Sequence, residues 1–171
     1  TQYYSASMSS LHKWDKSSAG TLYAYWEART YTVSFNYNNG NSNNGSIIAT
    51  YDSEMPSISG IPTRTGYVFT GYFDSANNGT KYYNADLTSA KTWDKTSNTT
   101  LYAHWVGINY SVRFDGNGST SGRMDNQAFV YATAQNLNAN RFARTGYTFV
   151  GWKTEADGSG TSYDNSASVN N

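Results

Sequence analysis

Two histidines, twelve carboxylates and a loop reading Asp115-Gly-Asn117-Gly-Ser119 are where this chain of 171 residues could do acid–base or metal chemistry. A metal site needs several such ligands converging on one point. His12 and His104 have no companion ligand nearby in the sequence, so an exposed strand or loop histidine is the better reading of each. The carboxylates are scattered through loop-like segments, and no pair suggests the two-carboxylate arrangement of a glycosidase. Asp15 and Asp94 each follow a tryptophan, Trp14 and Trp93, which points to a recurring turn or hydrogen bond. The segment DGNGSTSG (115–122) offers Asp115, Asn117 and Ser119 as calcium ligands. It lacks the glycine at the sixth position and the bidentate glutamate at the twelfth, where Asn126 stands, so a hairpin turn is expected. The same segment misses the dinucleotide spacing and has no helix after it. Thr120 occupies the place a nucleophilic serine would need. No catalytic residue, metal site or cofactor is expected.

The tyrosines offer binding rather than catalysis. Tyr3-Tyr4 and Tyr82-Tyr83 place one ring on each face of a strand, and an exposed ring can stack on a sugar. Tyr82 and Tyr83 are therefore the candidate ligand-binding residues, with packing between strands or modules as the competing expectation. Asn44, Asn78, Asn98 and Asn117 head glycosylation sequons, which an Asn-rich chain also produces by chance.

The elements that would carry these residues are mostly strands. Charged residues are only 14% of the chain, 12 basic against 12 acidic, so no basic face favours nucleic acid. Aromatics reach 16% and sit among Asn, Ser, Thr and Gly, a mixture suited to strands and turns. Cysteine is absent, which excludes disulfides and thiolate metal sites. No apolar run approaches the roughly 20 residues that cross a bilayer, and no signal peptide is visible at Thr1.

The chain repeats itself. TQYYSASMSSLHKWDKSSAGTLYAYW (1–26) aligns without a gap on TKYYNADLTSAKTWDKTSNTTLYAHW (80–105), with more than half the positions identical. RTGYVFTGY, ending at Tyr72, returns as RTGYTFVGW, ending at Trp152. The unit is about 79 residues, the step from Trp26 to Trp105. Residues 1–29 form the C-terminal part of a first repeat, 30–108 a complete one, and 109–171 the N-terminal part of a third that lacks its last strand. Links as short as Glu27–Thr30 and Val106–Asn109 imply closely spaced neighbours.

Alternation sets Val33 and Phe35 on one face of a strand, and Val112 and Phe114 on one face of its counterpart. The Asn-rich tract 36–45 reads as a turn and 46–51 as the returning strand. Residues 52–59 are predicted to form one short helix, capped by Asp52 or Ser53, with Pro56 near its first turn. Gly66 and Gly146 mark turns, and after them Tyr67 and Phe69, like Tyr147 and Phe149, enter the core. Tyr72 is set on the opposite face, and Gly71 between them marks a bulge or a close backbone approach. Leu101, Ala103 and Trp105 share the inner face of the last strand, beside Val33 and Phe35.

Taken together, Y-x-V-x-F, P-T-R-T-G-Y-x-F-x-G-Y, N-N-G-T-K-Y-Y, T-W-D and T-L-Y-A-H-W resemble the Listeria–Bacteroides repeat, the internalin-type B-repeat. The resemblance implies tandem small β-grasp-like modules, mainly β (α+β), each a mixed sheet of four or five strands with one short helix. It also implies an extracellular, non-enzymatic surface protein acting as a spacer, adhesive stalk or filament element. The partners to expect are neighbouring repeats or identical subunits, or else a host-surface protein or glycan. The two incomplete ends are complementary: either the array continues, or the strand of one end completes the sheet of another subunit.

Overall fold

The computed structural model describes residues 1–38 and 45–170, and every regular element among them is a β-strand. The middle of the Asn-rich turn, 39–44 with Asn44, lies outside the described residues.

The complete repeat builds one five-stranded sheet. Its strands are β1 (Thr30–Asn36), β2 (Ser46–Thr50), β3 (Tyr67–Phe73), β4 (Lys81–Tyr83) and β5 (Thr99–Gly107), in the order β2-β1-β5-β3-β4. β1 and β2 pair antiparallel, with Val33 opposite Ile47. β5 enters between β1 and β3, parallel to the first and antiparallel to the second, so it is the strand that closes the sheet. In that register Phe35 lies opposite Leu101, and Phe69 opposite Trp105. Val33, Leu101 and Ala103 are wholly buried, Phe35 and Phe69 nearly so, and Trp105 packs against them half-buried. The Trp105 indole N–H donates to the Tyr37 carbonyl (2.9 Å).

Two expectations need correction here. Residues 52–59 form no helix. Asp52 takes φ +59°, the left-handed region and not the extended backbone usual for a helix cap. The segment's polar groups go to another part of the chain instead: Asp52 N–H donates to the Trp93 carbonyl, Trp93 N–H to the Ser53 carbonyl (each 2.8 Å), and Met55 N–H to Ser89 Oγ. The Ser53 carbonyl bonded in this way is lost to a helical ladder. Tyr72 is not on the outer face but buried against Phe35 and Phe69. The pairing of β3 with β5 slips between Phe69 and Gly71, a bulge that inverts the alternation after it. Gly71 has φ +136°, and a Cβ there would overlap the Tyr83 carbonyl oxygen, so only glycine fits.

The third repeat has a smaller core of Phe114, Phe129 and Leu137, with Val112 and Trp152 partly buried against it. Its strands pair only in twos: β6 (Asn109–Val112) with β7 (Gln127–Val130), β8 (Gln135–Asn136) with β11 (Ser168–Val169), and β9 (Trp152–Lys153) with β10 (Ser162–Tyr163). Three further residues assigned to the core do not join it. Tyr147 is 67% exposed, Phe149 is exposed, and Gly146 stands in an exposed turn. The equivalents Tyr67 and Phe69 are covered because β5 and the next repeat lie against them, and residues 147–150 have no such cover. Gly66 is half-buried in a turn with φ +79°, the angle Gly146 also adopts.

Residues 1–29 contain a single bridge, Tyr4 to Ser10, and no strand. Leu22 and Trp26, the counterparts of Leu101 and Trp105, are exposed because nothing equivalent to β1 and β3 flanks them.

Candidate functional site

The chemistry-bearing side chains are used for structure. Tyr82 and Tyr83 are both fully buried, so neither presents a ring to a ligand, and their candidacy as binding residues is corrected. β4 is sandwiched: Tyr83 faces Phe35 and Tyr72 and donates to the Pro56 carbonyl (2.6 Å), while Tyr82 packs on Trp93. The Tyr82 hydroxyl donates to the Asp94 carboxylate, and Tyr3 donates to Asp15 in the same way. The Trp-Asp recurrence thus marks a tyrosine–carboxylate clasp. Burial first, and then the bond to Asp94, pushes the Tyr82 phenol up. The bonds from Lys91 and Tyr82 hold the Asp94 carboxyl below its ordinary value.

His104 stacks on Phe73 (ring centroids 4.0 Å apart), and its Nε2 bonds the Ser75 carbonyl (2.8 Å). Asp115 accepts from the Asn117 amide (2.9 Å) and from Arg113 (2.8 Å), bonds that keep its carboxyl below the ordinary value and shape a turn. Among the described residues no three His, Asp or Glu side chains gather as metal ligands.

What the third repeat does offer is a groove. It measures about 1030 Å³, and its walls include Val112 with Phe114 and Phe149 with Val150 and Trp152, among polar residues such as Asp115, Asn140 and Arg144. In the complete repeat the same two walls, Val33 with Phe35 and Phe69 with Tyr72, enclose β5. In the complete repeat the strand between those walls carries Leu101, Ala103 and Trp105 at alternate positions. Leu22, Ala24 and Trp26 spell that pattern in this chain.

The profile of the Listeria–Bacteroides repeat domain matches residues 31–104 and again 110–171. The chain belongs to the Listeria–Bacteroides repeat family. It is 36% identical over 146 residues to a protein of Evansella cellulosilytica described as a putative membrane protein, covering 84% of this chain and 21% of that one. A putative Gly-rich membrane protein of the same organism is 32% identical over 123 residues, 70% of this chain and 14% of the relative. Internalin H of Listeria monocytogenes is 35% identical over 105 residues, 60% of this chain and 17% of the relative. The chain thus spans about a fifth or less of the length of these relatives.

As this chain spells the Listeria–Bacteroides repeat, sequence reasoning missed several residues that organise it. Trp93 is the largest fully buried side chain, yet it sits in an irregular connection where no alternation marks it. Arg64 lies over the Tyr67 ring and Arg144 over the Tyr147 ring, each 4.0 Å from the centroid. Tyr131 touches the preceding repeat at Tyr67. The signal for Trp93 and for the two arginines was present in the repeat alignment, as identity at Trp14/Trp93 and at Arg64-Thr-Gly-Tyr67/Arg144-Thr-Gly-Tyr147.

Proposed function

We propose that this segment is a non-enzymatic spacer in a surface-located repeat protein, holding a distal part of its own chain away from the cell. The observation that carries this reading is the connection between repeats: Ile108 alone separates β5 from β6. With so short a link, consecutive modules sit in line with little freedom, which suits reach and stiffness. The names of the relatives, two membrane proteins and an internalin, support a surface location. Among the described residues no helix is long and apolar enough to cross a membrane. We read the complete module as a helix-free variant of the β-grasp sheet, supported by the strand order with parallel β1 and β5 at its centre. Small-angle scattering from arrays of increasing repeat number tests the spacer. The maximum dimension should grow by a constant step per repeat, and a compact particle of constant axial ratio would overturn the reading.

Assembly by strand complementation is part of the same proposal. In a solution of this chain, residues 20–29 of one copy enter the groove beside Val112 and Trp152 of another, giving head-to-tail oligomers. Light scattering at rising concentration should show growth that Trp26→Asp abolishes. A strictly monomeric chain at millimolar concentration would exclude it.

A further inference from the structure

The phrase Arg-Thr-Gly-Tyr does more than turn the chain. We infer that it is a socket for one aromatic ring of the following repeat, and that the tyrosine just after the second strand of each repeat is the plug. Inside this chain the contact is made once. Tyr131, the residue after β7, lays its ring on Gly66, where a Cβ would overlap three of its ring carbons. The same ring meets Tyr67 edge-on, with centroids 5.3 Å apart. Arg64 lies over the Tyr67 ring and so fixes it as the socket wall. Two backbone bonds complete the joint: Ile108 N–H donates to the Gly66 carbonyl (3.0 Å) and Tyr131 N–H to the Ile108 carbonyl (2.9 Å).

Both halves recur without their mates. Arg144, Gly146 and Tyr147 repeat the socket, with Arg144 over Tyr147 and the glycine at the same φ of +79°. A Cβ on Gly146 would meet nothing within 4 Å, and Tyr147 is exposed. The counterpart of Tyr131 in the complete repeat is Tyr51, which follows β2 and is 40% exposed. The Tyr51 N–H donates to the Arg29 carbonyl (2.9 Å), as that of Tyr131 does to Ile108. Arg29 and Ile108 are equivalent linker residues. The next residues, Asp52 and Ala132, share a left-handed φ of +59° and +56°. The plug is thus held in the same pose whether or not a socket is present. The occupant of the Gly146 site is the tyrosine plug of a following repeat, with that repeat's linker amide on the Gly146 carbonyl. This deepens the spacer reading and rests on it: failure of the joint would leave a flexible string of modules, still lengthening with each repeat.

The test uses residual dipolar couplings on the full 171-residue chain. Residues 30–107 and 109–170 should fit one alignment tensor in the parent and in Tyr131→Phe, and two separate tensors in Tyr131→Ala and Gly66→Ala. Gly146→Ala is the control: it places alanine in an identical turn with an empty socket, so it bears the same backbone strain and should keep the single tensor. A single tensor in Tyr131→Ala, or equal behaviour of Gly66→Ala and Gly146→Ala, would overturn the inference.

Discussion

The hydroxyl of Tyr82 donates to the carboxylate of Asp94, twelve residues away, and the same bond joins Tyr3 to Asp15 in the incomplete first repeat. The two clasps differ in surroundings. Tyr82 is enclosed beside Trp93, whereas Trp14, its counterpart, is half-exposed beside Tyr3. Tyr82→Phe should cost about 1.5 kcal/mol, the low end for a bond to a charged acceptor because Asp94 itself keeps contact with water. Tyr3→Phe should leave the midpoint of urea unfolding unchanged. Denaturation curves of the two variants at neutral pH check the contrast.

The buried phenols also set an alkaline limit. Burial raises Tyr72, Tyr82 and Tyr83 above their ordinary value of 10.0. A group whose folded value is raised binds its proton more tightly when folded. Its stabilisation is therefore full below pH 10.0 and is lost as pH rises towards the folded value. Stability should fall steadily above about pH 10. On the acid side the order reverses. Asp94, held below its ordinary 3.8 by Lys91 and Tyr82, contributes above that pH and ceases to as pH drops through its folded value. Urea midpoints across the two ranges give both slopes.

Gly71→Ala should be among the most damaging single changes. The added methyl group meets both the positive φ and the Tyr83 carbonyl, so relief would require β3 and β4 to part at the bulge. A loss of about 3 kcal/mol or more is expected from strain of this kind. Thermal unfolding followed by near-ultraviolet circular dichroism would show it, since Tyr72 and Tyr83 both lie at that point.

Leucines at equivalent positions should respond oppositely. Leu101→Ala empties a fully buried site between β1 and β3 and should cost about 2–5 kcal/mol. Leu22→Ala alters a side chain that is 52% exposed and should change the stability of the monomer by less than about 0.5 kcal/mol. If complementation occurs, Leu22→Ala weakens it instead, which analytical ultracentrifugation separates from folding stability.

Much of the complete repeat was legible from the linear chain. The alternation of Val33 and Phe35, and of Leu101, Ala103 and Trp105, fixed two strands and their inner faces, because a period of two admits one burial pattern. The glycine in RTGYVFTGY announced an irregularity in β3, and Gly71 is the bulge. What the alternation could not convey was the effect of that bulge, which turned Tyr72 inward. Nor could it show that the Trp93 N–H would take the Ser53 carbonyl, which a helix at 52–59 required. Both depend on contacts between residues far apart in the chain, and local pattern carries no term for them.

The site residues divide in the same way. Sequence by itself determined the repeat, the family motifs and the residues able to form a strand in each copy. Tertiary structure decided which of those residues are covered: Tyr82 and Tyr83 are enclosed by Phe35, Trp93 and Pro56, while Tyr147 and Phe149 are uncovered because no strand lies between them and β6. The physical reason is that burial belongs to a pair of surfaces. Leu22 and Leu101 stand in the same words of the chain, and only the presence of β1 and β3 beside one of them makes it core.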